Sequence, residues 1–379
     1  MAKILCICHS TGDTQALLKT AQLLRNRGNE VLLLPIGEPA YRATAADTGR
    51  ITLPDIIDTF PVTLTDTQEQ AFHAWAATQD FSHALIGTPS LNHVQTAFQM
   101  AKVLTTLLAP QAVSIYNDYL YEEPAHTYWQ SLRTSLQPWH HQVQWLTSLP
   151  AMQRALPETL QAHSQTVGHL NIDGATTSPN LATVTETRQA LAVPDTHQLL
   201  FISGSKNAAE DAALLEAVAQ AIAANSTLPP LAIRLGLHPG TADLPGYVAA
   251  MNAVIDRHPC LQACTAWLLP YKLISQFREP LPHHIHCEVS GEAATDAADY
   301  VASYGPYSLF HRAAFQRKPA FSLDTERHSF AELSTAIVGD AERFLTAHRE
   351  PLRAATDLRS ALNVPETSVA EAMVAMFAR

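Results

Sequence analysis

The chain has 379 residues, more than twice the usual single-domain size of roughly 100–150 residues, so two domains are the first expectation. Hydrophobic residues make up 47% and charged residues 16%, which excludes disordered, collagen-like and coiled-coil classes. With 24 Lys and Arg against 35 Asp and Glu, the net charge of −11 gives no general pull toward phosphodiester backbones or anionic lipid, and weighs against a nucleic-acid partner.

In chain order, residues 3–8 read as a fully apolar strand that breaks at the loop 9–13. This apolar run lacks the length and cleavage site of a signal peptide, and no stretch approaches the ~18–20 apolar residues a transmembrane segment needs. A soluble, cytoplasmic protein is the expectation. Residues 14–27 form an amphipathic helix closed by Gly28, and residues 30–34 the next strand. Strands at 84–86 and 112–116 end in Gly87-Thr88-Pro89-Ser90 and Asn117-Asp118, with helices at 93–108 and 124–136.

The Thr/Ser/Pro/Asn-rich stretch 173–185 reads as a loop between units, which places a boundary near 168–180. Beyond it come a helix at 185–191, a strand at 198–203, a helix at 210–224, a strand at 231–237 and a helix at 247–257. Then follow a strand at 285–289, a helix at 292–300, a strand at 300–303, a helix at 309–316 and a strand at 320–323. Segments 341–348 and 368–377 are helical. The pattern predicts an α/β protein of two Rossmann-like domains facing each other across a cleft. Residues 1–170 form the first domain, 171–350 the second, and 351–379 a helical segment packing back across the molecule.

Ligands of such sheets bind at the carboxyl ends of the strands, so each strand-to-helix loop is a candidate. Gly204-Ser205-Lys206 lies between a strand and a helix. There Gly204 permits close backbone approach, the helix start offers amides, and Lys206 adds a point charge for a phosphate, although a tight turn with a solvated lysine has the same sequence. His238-Pro239-Gly240 follows a strand that contains Arg234, and His238 there can hydrogen-bond a phosphate or a sugar hydroxyl. Gly305-Pro306-Tyr307-Ser308 precedes a helix that Ser308 either caps or equips to hold a diphosphate.

This order of elements resembles the nucleotide-sugar-binding domain of GT-B type glycosyltransferases and the related UDP-sugar 2-epimerases. The resemblance runs over residues 197–324, through the Gly-Ser-Lys loop, His-Pro-Gly, Ser290-Gly291, Ala298-Asp299-Tyr300-Val301 and Lys318-Pro319-Ala320-Phe321. It implies that Lys206, His238 and Ser308, with Gly204, Ser205, Arg234 and Tyr307 around them, serve the donor diphosphate, and that backbone near Val289 and Ser290 meets the base. Arg312 stands where many such enzymes carry a ribose-binding Glu, and Tyr304 where retaining members carry an acid. In the first half, Gly12-Asp13 followed by 17–24 and Arg27-Gly28-Asn29-Glu30-Val31 is similar to the acceptor-domain opening of inverting members, where a base follows the first strand. That implies Asp13, with His9 four residues earlier, as the catalytic group, while position alone equally makes Asp13 a helix cap.

Asn117 and Asp118 open an aromatic and acidic run, 116–123, suited to a sugar acceptor or to an interdomain contact. Asp13, Asp118, Glu122 and Glu123 also keep an epimerase reading open. The run His283-His284-Ile285-His286-Cys287 straddles a loop and a strand start, where alternate side chains are taken to diverge, and no metal is expected. Five cysteines read as reduced thiols. Gly-x-Gly-x-x-Gly after the first strand, a Walker loop, Gly-x-Ser-x-Gly and Asp-x-Asp are all missing, which removes NAD, ATP, common hydrolase and metal-bridged donor readings. The sequence thus predicts an inverting, metal-independent glycosyltransferase with no cofactor beyond its nucleotide-diphosphate sugar. Its acceptor, whether glycan, lipid-linked or protein, is unspecified, as is its oligomeric state. A 2-epimerase or a non-catalytic binding protein of the same fold is the alternative.

Overall fold

A computed structural model of the chain describes all residues except 58–60, 62, 89–93, 123–127, 129, 131, 135, 177–180, 239–240, 270–276, 278–281, 351–354 and 378–379. It divides into two compact units, Met1–Asp173 with Arg359–Arg379, and Gly174–Leu358. Among the described residues, no helix is long and apolar enough to cross a membrane. All five cysteines are free, with Cys6, Cys8 and Cys287 buried and Cys260 and Cys264 half-buried.

The first unit is built on six parallel strands: β1 Lys3–Cys8, β2 Glu30–Pro35, β3 His83–Gly87, β4 Val113–Asn117, β5 Val143–Thr147 and β6 Ser164–Thr166, in the order β2-β1-β3-β4-β5-β6. β1 is apolar throughout because both faces are covered: its residues from Ile4 to Cys8 have no exposed surface. The helix after it runs Thr11–Asn26, three residues earlier than the predicted start, since Ser10 rather than Asp13 is its N-cap. Ala16, Leu17, Thr20, Ala21 and Leu24 form its buried stripe. Gly28 follows at φ +84°, the left-handed geometry that ends the helix.

The last helix, Val369–Met376, joins the first unit's core beside Ile4, Cys6 and Leu17. Thr20 Oγ1 donates to Met373 Sδ at 3.4 Å. Arg359, 6% exposed, ties this segment down by donating to Asp173 Oδ1 at 2.7 Å and to the carbonyl of Pro365 at 3.0 Å. Met373 is fully buried, so Met373→Ala is expected to lower the unfolding free energy by about 2–5 kcal/mol in urea titrations followed by circular dichroism.

The second unit carries seven parallel strands: β7 Gln198–Ser203, β8 Leu231–Gly236, β9 Thr265–Leu269, β10 His284–His286, β11 Tyr300–Ser303, β12 Ala320–Ser322 and β13 Ala336–Val338. Their order is β10-β9-β8-β7-β11-β12-β13. β7 alternates between two cores: Leu200 and Ile202 enter one, Leu199 and Phe201 the other.

Several expectations are corrected. The strand expected at 285–289 is the short β10, and the helix expected at 292–300 is Gly291–Ala297, because β11 begins at Tyr300. The stretch 173–185, expected as loop, carries the end of helix Leu170–Thr176 and the start of helix Leu181–Ala190. Much of the helix expected at 124–136 lies outside the described residues, as do Pro89, Ser90, Pro239, Gly240 and Glu123.

Candidate functional site

In the first unit the chain leaves β1 for β2 on one side and returns with β3 on the other, so the loops after β1 and β3 part at the carboxyl edge. The loop after β1 is organised around Asp13. His9 N donates to Asp13 Oδ2 at 2.9 Å, Ser10 N to Oδ1 at 2.7 Å, and Ser10 Oγ donates as well. Asp13 is therefore the third residue of a capping box and has no exposed surface. Burial pushes its carboxyl up to about 6, against the hydrogen bonds from Ser10 and His9. His9, 1% exposed, holds the carbonyl of Gly87 through Nδ1 at 2.8 Å, which sets the hydrogen on that nitrogen.

The glycines make room for two carboxylates. A Cβ on Gly87 would overlap the Asp13 carboxylate, and one on Gly12 would overlap that of Asp118. Asn117, 1% exposed, accepts the Tyr119 N–H through Oδ1 at 3.1 Å and so shapes the loop after β4. Asp118 is half-buried, and its carboxyl is pushed up to about 7 by burial and then by the charge of Asp13. The acidic pair thus has an inner member committed to the loop and an outer member that solvent reaches. Asp13, the sequence-based candidate for the base, has its oxygens accepting from the loop, while Asp118 keeps part of its surface exposed.

In the second unit the corresponding divergence lies between β7 and β11. The loop after β7 is closed from within. Gly204 N donates to Gly236 O at 3.0 Å, and a Cβ on Gly204 would strike that carbonyl, so this glycine serves the approach of two strand ends. Ser205 N donates to the buried Asp211 Oδ2 at 2.6 Å, and Ser205 Oγ accepts Asn207 N at 3.0 Å. The Ser205 amide is accordingly spent on Asp211. Lys206 stands exposed, near enough to half-buried His238 that its charge, after burial itself, pulls the imidazole down to about 4 and keeps it neutral.

On the β11 side, Tyr307 is the N-cap of helix Ser308–Phe315, and exposed Ser308 is its first residue rather than its cap. Arg327, from the loop after β12, donates to the Tyr307 hydroxyl at 2.6 Å and to Glu210 Oε1 at 3.2 Å, and pairs with Asp324 Oδ2 at 3.2 Å. Behind them fully buried His311, pulled down to about 4 by burial, bridges Tyr307 O at 3.0 Å and Ser329 Oγ at 2.6 Å. This neutral histidine fixes the Arg327 loop against the helix start.

Arg234 and Arg312 have side chains committed elsewhere, and the Ser290 side chain serves as a helix cap. Arg234 is 6% exposed and donates to the carbonyls of Leu191 and Ala192, both at 2.6 Å, closing the end of helix Leu181–Ala190. Arg312 is held by both oxygens of Asp296, each at 2.7 Å, so it joins two helices rather than meeting a ribose. Ser290 caps helix Gly291–Ala297 by accepting Ala293 N at 3.2 Å. Sequence reasoning missed Arg327, Glu210 and Asp211. The signal for Arg327 was its place after a strand's carboxyl end.

No family model matches the sequence, and no curated protein matches it. Solved structures do match over essentially the whole chain. The UDP-GlcNAc 2-epimerase of Methanocaldococcus jannaschii superposes with a TM-score of 0.60 at 10% identity over 100% of both chains. Anabaena HepE in complex with UDP-glucose gives 0.60 at 14% identity over 100% of this chain and 99% of that one. The chain has the GT-B fold. A Rickettsia africae glycosyltransferase also matches at 0.54 and 10% identity, over 99% of this chain and 91% of that one. At these identities the likeness is one of fold, and the reaction must be argued from the side chains.

Proposed function

We propose that this GT-B protein is an inverting, metal-independent glycosyltransferase using a nucleotide-diphosphate sugar, with Asp118 as its base. The observation that carries this reading is the Asp13–Asp118 pair at the carboxyl edge of the first sheet, whose outer carboxyl is raised to about 7. A base must be reachable and must change protonation near the working pH, and Asp118 meets both demands. In the step, the acceptor oxygen forms its bond to the sugar C1 as the C1–O bond to the diphosphate breaks. The electron pair leaves with the nucleoside diphosphate, and Asp118 takes the acceptor proton.

The second unit supplies the donor side in this reading. Lys206 and Arg327 offer cationic donors for a diphosphate, while neutral His238 and the Tyr307 hydroxyl offer directional hydrogen bonds. The UDP named with HepE makes uridine nucleotides the first to test. In a thermal-shift assay UDP is expected to raise the melting temperature, and Lys206→Ala or Arg327→Ala to weaken UDP binding about tenfold.

A second reading, a nucleotide-sugar 2-epimerase, is favoured by the raised carboxyl of Asp118, which can take and return a proton on a single substrate near neutral pH. Incubation with UDP-glucose or UDP-GlcNAc separates the two. Nucleoside diphosphate released only when acceptor is present supports transfer. Isomerised donor formed without acceptor supports epimerisation. UDP binding with neither product would make the chain a binding protein.

A further inference from the structure

We propose that His284 and His286 form a two-imidazole site for a divalent transition-metal ion on the edge of the second unit's sheet. This proposal stands apart from the nucleotide-sugar reading. Among the described residues β10 is the terminal strand of that sheet and pairs with β9, His284 opposite Trp267 and His286 opposite Leu269. Residues two apart on a strand share a face, so the two imidazoles converge where the sequence reading had them diverging. Their Nε2 atoms stand 3.0 Å apart, with ring centroids at 4.4 Å and planes inclined by 64°.

Between neutral imidazoles, 3.0 Å is one N–H···N hydrogen bond, which needs the lone pair of one ring aimed at the nitrogen of the other. The same separation suits a shared ion. With metal–nitrogen bonds of about 2.0–2.1 Å, two ligands at a right angle stand roughly 2.9 Å apart, and two at the tetrahedral angle roughly 3.4 Å. The observed spacing sits at the right-angle end, which suits Cu²⁺ or Ni²⁺ in square or octahedral surroundings and asks Zn²⁺ to open the pair by a few tenths of an ångström. His284 is half-buried and His286 exposed, so the pair lies where a solvent-borne ion reaches it. Among the described residues no group of three or more His, Cys, Asp or Glu is placed to hold a metal, so the described ligands of the site are these two imidazoles. His283 is turned aside, with its Nε2 3.9 Å from Asp256 Oδ1.

The test is isothermal titration of NiCl₂ and of CuCl₂ into the full-length, tag-free protein after chelator treatment, with Cu²⁺ electron paramagnetic resonance on the same samples. One saturable site with nitrogen hyperfine structure is expected. His284→Ala and His286→Ala should each weaken it about tenfold or more, and His283→Ala should leave it unchanged. Circular dichroism confirms that each variant is folded, and His286→Gln serves as a milder substitution at the exposed position. Absence of saturable binding by the unaltered chain would overturn the proposal, as would unchanged binding by the double variant H284A/H286A.

Discussion

Asp118→Asn is expected to lower kcat about 10²- to 10⁴-fold while leaving the Kd for UDP within about twofold. The argument rests on the order of the two carboxyls. Asp13 is fully buried and accepts from His9 and Ser10, so above about pH 6 its charge sits where the loop needs it. Asp118 feels that charge and its own burial, and holds its proton up to about pH 7. A base works only when ionised, so kcat/KM should fall tenfold for each pH unit below about 7 and level off above it. Asp13→Asn removes the neighbouring negative charge, which lets Asp118 ionise at lower pH and moves the acid limb of the profile downward. Retained turnover in Asp118→Asn, or an acid limb at the ordinary carboxylate range, would remove Asp118 from the mechanism. Gly12→Ala should perturb the same profile, since a Cβ there meets the Asp118 carboxylate.

The legibility of the chain follows from how each element declares itself. β1, β7 and β11 were read to the residue because apolar runs buried on both faces, bounded by turn residues, have few alternatives. The helix Asp66–Ala77 went unread because only Phe72 and Ala76 are buried on it, which leaves no periodic stripe to find, although Thr65 and Gln68 form a capping box. β5 and β9 were missed for a different reason. Val143–Thr147 mixes Gln and Thr with Trp145, and Thr265–Leu269 begins inside a run that also suits a helix. At the site, the positions of Asp13, Lys206, His238 and Tyr307 at carboxyl edges followed from alternation of strand and helix. Their duties did not, because a capping carboxylate and a catalytic one share a sequence, and only burial and partners separate them. Arg234 and Arg312 show the same limit: each cation is consumed by carbonyls or by a carboxylate that lie far away in the chain.

Lys318→Ala is expected to cost about 3–5 kcal/mol of unfolding free energy, the largest stability effect of any single change considered. Lys318 has no exposed surface, and its ammonium donates to the carbonyls of Thr295 at 2.7 Å and Asp296 at 2.6 Å, closing the end of helix Gly291–Ala297. Truncation takes the ammonium from both carbonyls, leaving Thr295 O with only the Ala298 N–H at 3.3 Å, and opens a cavity beneath them. The charge itself is costly there: burial, reinforced by Arg349, pulls the amine from 10.5 down to about 7, outweighing the attraction of Asp296 and Asp299. The unfolded chain therefore binds one more proton at this group than the folded chain between about pH 7 and 10.5. Stability rises with pH wherever the unfolded state holds more protons, so the contribution of Lys318 climbs across that window, by up to about 1.4 kcal/mol per pH unit. Below pH 7 both states are protonated and the slope vanishes. Lys318→Met keeps the volume and removes the titration, so its unfolding free energy should lack the climb that the unaltered protein shows between pH 7 and 10. Parallel pH dependences for the two proteins in urea titrations would mean that Lys318 keeps its ordinary proton affinity, and that the two carbonyls alone account for its place in the core.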